Sequence, residues 1–163
     1  MSVGMNKILK TSGVLAIIAG IVMITFGIWG IVFTYKNVAR ENIITPSDAS
    51  IPEKPVRGPF TLKAQADIIR EHALNSTGGL TYAEMPRQIA KVDENGKTVL
   101  DDNGEPVMVS NEARNIWVTA TTLTTALNLG IITYAFSGLV LLLGLISVWT
   151  GITFYSLYER KIR

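Results

Sequence analysis

The stretch "KAQADIIREHALNSTGGLTYAEM", Lys63 to Met85, holds the single histidine of the chain, His72, near Asp67, Glu71 and Glu84, followed by Gly78-Gly79 and Tyr82. A histidine that converges with carboxylates can relay a proton or bind a metal, so the spacing of these groups decides what chemistry they can do. Leu62, Ala66, Ile69 and Ala73 fall at i, i+4, i+7 and i+11, which predicts a helix over 62–76 closed by Gly78-Gly79. On that helix His72 lies about 80° from the middle of the apolar stripe, on the flank of Gln65, while Asp67 and Glu71 take the far side. The places three and four residues from His72, where a second metal ligand would stand, hold Ile68, Ile69, Asn75 and Ser76. One histidine without cysteine builds neither a usual zinc site nor the two-histidine facial triad of non-haem iron. His72 therefore reads first as a structural, partly buried residue making a hydrogen bond, and second as a pH-sensitive switch or partner contact.

The other candidates give way in the same manner. Asp67 with Glu71, or Asp101 with Asp102, are the available carboxylate pairs, but Lys63, Asp67, Arg70 and Glu71 have the spacing of surface ion pairs on a helix. Asp93, Asp101 and Asp102 are turn residues. "DENG" and "DDNG" are similar to the start of a calcium loop, yet aligned on the glycine they place Lys91 and Val99 where the first acid belongs. There is no G-x-S-x-G and no Ser-x-x-Lys, and Leu80-Thr81 follows Gly79 where a phosphate loop needs Lys-Ser or Lys-Thr. Asn75-Ser76-Thr77 formally matches a glycosylation acceptor. The residues assign no catalytic group, metal ligand or cofactor, and the expectation is a protein that is not an enzyme. Gln65, Asp67, His72, Gly78, Gly79 and Tyr82 are read instead as a docking surface.

The elements that carry these residues follow from where the apolar residues gather. Thr11 to Tyr35 is a run of 25 uncharged residues, and Trp117 to Tyr158 is a run of 42. As a helix the first spans ~38 Å and the second ~63 Å, against a hydrocarbon core of ~30 Å. The expected class is a mainly α membrane protein, with transmembrane helices at 11–35 and 131–157 forming an antiparallel pair. The second helix extends outside the bilayer over 117–130, from a start near Ser110 or Asn111. The first run is longer than a secretory signal core, and Asn37-Val38-Ala39 is a poor cleavage site, so it reads as a retained anchor. Lys7 and Lys10 precede the first span, and Arg160, Lys161 and Arg163 follow the second. Basic tails at 1–10 and 158–163 place both termini in the cytoplasm and residues 36–116 outside the cell membrane.

Gly13, Gly20 and Gly27 recur every seventh residue in the first span, as do Gly130, Ser137, Gly144 and Gly151 in the second. A period near 3.5 per turn sets each group on one stripe, and Ser12, Ala16 and Gly20 add a run of small residues. These seams pack the two spans together, or else dock them onto a larger complex. Neither apolar core holds an ionisable residue, which argues against transport or a proton relay. Between the spans come a connector at 41–60 whose four prolines predict extended chain, the helix at 62–76, and a two- or three-stranded hairpin at 90–109 whose two Asn-Gly turns bracket Thr98-Val99-Leu100. Helix and hairpin make a small α+β domain, in which no internal repeat is apparent. The formal charge of +2 has its basic residues spread among acids, which excludes nucleic acid as a partner, and the lack of cysteine removes disulfides and thiolate sites.

Across "GPFTLKAQADIIREHALNSTGGLTYAEM" the chain resembles a family of small two-span membrane proteins of actinobacterial type. The resemblance takes in "ENIITPSDA", the run from Gln65 to Ile69 with His72, and the turns Thr77-Gly78-Gly79 and Thr81-Tyr82-Ala83-Glu84. It resumes near Arg114 and continues through the second span, while Ala90 to Val109 departs from it as an inserted hairpin. Such proteins are often described as a subunit of an aromatic ring-opening dioxygenase, for which this chain has no set of iron ligands. The resemblance implies an envelope membrane protein and carries over no activity, ligand or catalytic residue. The expected role is an accessory or structural subunit in contact with membrane lipid and bound to a larger membrane protein complex or its own copies. The alternative is an extracytoplasmic module that binds or senses a lipid, glycan or peptide.

Overall fold

The computed structural model describes residues 3–160, of which residues 3–5 are described by their backbone alone. Among them are three helices, α1 (Val3–Arg40), α2 (Pro59–Ser76) and α3 (Glu112–Arg160), and two short strands, β1 (Gln88–Ala90) and β2 (Met108–Ser110). The protein is mainly helical, and α1 and α3 are each long and apolar enough to cross a membrane. Lys161 and Arg163, which belong to the basic tail read in the sequence, lie outside the described residues. The described residues divide into two units, one of 3–43, 55–59 and 129–160 and the other of 44–54 and 60–128, and α3 contributes to both.

In the first unit α1 and the later part of α3 run antiparallel along the small-residue stripes. A Cβ added to Gly20 would lie 2.6 Å from the carbonyl oxygen of Gly144, and one added to Gly144 would lie 2.8 Å from that of Gly20. Toward one end Gly151 meets the Gly13 carbonyl at 2.7 Å in the same sense, and toward the other Gly27 meets the Ser137 carbonyl at 2.9 Å. The helices therefore touch backbone to backbone, which only residues without side chains permit. Ser147 donates its hydroxyl to the carbonyl of Ala16 at 2.9 Å, which ties the register at the same level. Gly30, absent from the predicted seam, extends it toward Ser137, and Gly130 sits half-buried. Nearby, Val56 is buried and donates its backbone N–H to Ile43 at 2.9 Å. Tyr134 of α3 donates its hydroxyl to the Arg57 carbonyl at 2.6 Å, and the Arg57 guanidinium donates to Tyr35 of α1 at 3.3 Å.

In the second unit the connector is not the extended chain expected from its prolines. Thr45, buried to 1 % exposure, closes residues 45–54 into a loop. Its N–H donates to the Lys54 carbonyl at 3.0 Å, its carbonyl accepts from Glu53 at 3.0 Å, and its hydroxyl accepts from the Lys54 N–H at 2.9 Å. Helix α2 begins at Pro59, earlier than predicted, because proline at a first helical position loses no hydrogen bond. Its buried residues are Leu62, Ala64, Ala66, Ile68 and Ala73, so it is covered on two sides and Ile69 is only half-buried. The single stripe read from periodicity misses Ala64 and Ile68. Asn111 caps α3 as expected, its side-chain oxygen accepting from the Ala113 N–H at 3.1 Å.

The predicted hairpin is present as an antiparallel pair, but the chain between its strands folds further than expected. Strands β1 and β2 pair antiparallel with Ala90 opposite Met108, and between them the chain folds twice through an eight-residue unit. "VDENGKTV" and "LDDNGEPV" form matching turns: Asp93 accepts from Asn95 and Lys97 at 2.9 Å each, and Asp101 accepts from Asn103 and Glu105 at 2.8 and 2.9 Å. Gly96 and Gly104 take left-handed φ values of 77° and 79°, where a side chain would be strained. Lys91 donates to Val107 at 2.7 Å, Val107 to Val99 at 2.9 Å and Val99 to Lys91 at 2.8 Å, a closed ring of backbone bonds with threefold pseudosymmetry. The repeat is hidden in the sequence because only Asp, Asn-Gly and Val recur.

The seam can be read directly, since the chain has no native thiol. Ala16→Cys with Ser147→Cys is expected to form a disulfide under mild oxidation, whereas Ala16→Cys with the outward Leu145→Cys is not. Adding Gly20→Leu to the first pair should cost about 1–3 kcal/mol of helix packing and suppress the crosslink. Equal crosslinking of both pairs on a denaturing gel would refute this register.

Candidate functional site

The residues read as a docking surface all fall in the second unit, on α2 and the turns that follow it. The Nε2 of His72 lies 2.8 Å from Oδ2 of Asp48, which stands on the loop closed by Thr45. Both side chains are about half exposed, at 50 % and 58 %, so His72 makes its hydrogen bond at the surface and not in the partly buried setting expected. The bond from His72 holds the Asp48 carboxyl below its ordinary value. Asp67 is paired with Lys63 on the same helix, and Asp67 is exposed. Five residues separate Asp67 from His72, a rotation of about 140° on a helix, so the acid and the histidine stand on different flanks as predicted. Gln65 is half-buried, and its Oε1 has no hydrogen-bond partner among the described residues.

Beyond α2 the Gly-Gly turn is built around a threonine that sequence reasoning passed over. The Thr77 hydroxyl lies 2.9 Å from the Ala73 carbonyl and 2.7 Å from that of Leu80, and it accepts the Trp117 indole N–H at 3.1 Å. The same indole N–H reaches the Leu80 carbonyl at 2.8 Å. Gly78 and Gly79 are left-handed, and Gly79 donates to Leu74 at 2.8 Å, which ends the helix. Trp117 packs with Ala73, Met85 and Ala120 in the core of this unit. Arg70 stands over its ring at 5.4 Å.

A second anchor follows at Tyr82. Arg114 lies 3.8 Å above the Tyr82 ring and donates to the carbonyls of Tyr82 and Met85 at 3.1 and 2.6 Å. Glu84 closes the Thr81 turn by accepting from its N–H at 2.7 Å and its hydroxyl at 2.6 Å, and the hydroxyl bond is the main cause of a lowered Glu84 pKa. Thus Gly78, Gly79 and Tyr82 belong to one turn region, Gln65 and His72 to one flank of α2, and Asp67 to another. Thr45, Asp48, Thr77, Arg114 and Trp117 are the residues that position them. Their only sequence signal was type: a tryptophan at the head of a long apolar run and an arginine in the first turn of a charged helix start. Among the described residues no three His, Asp or Glu side chains converge as a metal site requires.

An apolar groove of about 640 Å³ lies between α2 and α3 within this unit, walled by Ile69, Ile116 and Leu123, floored by Ala73 and Ala120, and edged by His72. No family model, curated protein or solved structure matches this chain. Fold and residues define a mainly helical protein with two helices of membrane-crossing length and apolarity and a small two-stranded antiparallel sheet.

Two measurements test this reading of the site. Trp117→Phe keeps an aromatic ring but removes the indole N–H shared by the Leu80 carbonyl and the Thr77 hydroxyl, an expected loss of about 0.5–1.5 kcal/mol that chemical denaturation would report. A depressed carboxyl contributes stability that is present above the unfolded value, near 3.9, and lost as pH falls through the lower folded value. Accordingly, the Asp48 carboxyl followed by NMR should titrate below that range in the intact protein and return to it in His72→Gln. An unchanged midpoint would separate the two residues.

Proposed function

We propose that this protein is a non-enzymatic accessory subunit of the cell membrane, with two spans, both basic ends cytoplasmic and residues 36–116 outside, held in a larger membrane protein complex. The observation that carries the reading is the apolar outer surface of the helix pair. With the small residues turned inward, Leu15, Ile18, Phe26 and Trp29 of α1 and Leu139, Leu142, Ile146 and Trp149 of α3 remain exposed, from 52 % to 75 %. Surfaces so continuous are stable against lipid or protein and not against water. The small-residue faces are spent on the pair itself, so contacts with a larger complex use these outer faces or the second unit.

A second reading, a module that binds an envelope lipid, glycan or peptide, is favoured by the groove between α2 and α3. Its size lies within the range of about 300–1,000 Å³ typical of ligand sites. Filling it with Ile116→Trp, at a wall position exposed to 42 %, would abolish retention of a groove-bound molecule and leave an assembly built on other surfaces intact.

Topology and assembly are separately testable. A single cysteine at Asn95 should react in whole cells with a membrane-impermeant maleimide, and one at Asn6 should react only after lysis. Extraction in mild detergent followed by native mass measurement should find the chain in a complex larger than a monomer. Free monomer alone would overturn the accessory reading.

A further inference from the structure

We infer that one face of the 88–110 module is a docking surface for a protein partner whose contact patch is apolar and bordered by lysine or arginine. The inference rests on the accessory reading above and names the surface and partner chemistry it would use. Its starting point is the ring of backbone bonds among Lys91, Val99 and Val107. The flanking residues meet at three corners, with Val92 opposite Thr98, Leu100 opposite Pro106 and Ala90 opposite Met108.

Side chains alternate along a strand, so the six flanking residues share the face opposite to that of Lys91, Val99 and Val107. Five of the six are apolar. Val92, Leu100 and Met108, equivalent under the eight-residue repeat, are exposed to 56, 55 and 51 %. Within residues 88–110 no residue is buried, so the module has a full set of turn and ring hydrogen bonds and no core of its own. Small sheets of this kind gain their stability by laying an apolar face on something else.

Charge selects what that is. Between Lys91 and Val107 the chain carries the acids Asp93, Glu94, Asp101, Asp102 and Glu105 against Lys91 and Lys97. Asp93 and Asp101 hold the two turns, which leaves Glu94, Asp102 and Glu105 as an exposed acidic border. An acidic border repels an anionic lipid surface and attracts a basic protein rim, with a salt dependence that follows.

The test uses the full chain in its native membranes with Leu100→p-benzoylphenylalanine, and Val92→p-benzoylphenylalanine as a second position. Irradiation should join both positions to the same protein, through a peptide that combines apolar residues with Lys or Arg. Glu94→Lys with Asp102→Lys, which leaves the turn aspartates in place, should lower the yield about tenfold at low salt. Crosslinks to lipid, crosslinks to a second copy of this chain, or a yield indifferent to charge reversal would overturn the inference. If the complex co-purifies intact while both positions crosslink nothing, this surface is wrong and the accessory reading stands. If the chain is a free monomer, both fail.

Discussion

Two helices can rest backbone on backbone only where side chains at the contact are absent or small, and the paired long helices depend on that condition. Gly13, Gly20 and Gly27 meet the level of Gly151, Gly144 and Ser137, and each added Cβ would fall at or within 3.0 Å of a backbone oxygen across the seam. Close packing and a hydrogen bond from Ser147 to Ala16 hold the pair, the two terms that join apolar helices where a lipid solvent gives no hydrophobic gain. The same condition turns the bulky side chains outward. The apolar outer surface that supports a membrane reading is thus a consequence of the seam.

The second unit answers a different constraint. Without cysteine, and with few fully buried residues, it is held by side chains that satisfy backbone groups left over at loops and helix ends. Thr45 closes the connector, Thr77 and Trp117 close the end of α2, Arg114 holds the carbonyls of Tyr82 and Met85, and Asn111 opens α3. Cation and ring stacks at Arg114–Tyr82 and Arg70–Trp117 sit beside those bonds. The histidine and carboxylates that first look like a site are surface members of this framework: His72 bridges α2 to the Thr45 loop through Asp48, and Asp67 answers Lys63.

An accessory role suits a chain whose two units each keep something in reserve. In the first, the outer helix faces are apolar. In the second, the eight-residue repeat builds a triangular face that is apolar, exposed and bordered by acids. The ring of three backbone bonds ties the corners of that face together, although the module has no core of its own.

How much of this was legible depended on the range of the interaction. The long apolar helices, the small-residue stripes, the cap at Asn111 and the divergence of His72 from Asp67 are functions of spacing along one helix, and the sequence by itself determined them. The connector loop, burial of α2 on its second side and the surface setting of His72 were decided by tertiary structure, because each depends on residues outside the element itself. Asp48 is 24 residues from His72, and Trp117 is 40 from Thr77. The repeat lay between these cases. Its Asn-Gly turns were plain in the sequence, but a hairpin and a closed threefold ring share the same turns, and only the strand pairing in space distinguishes them.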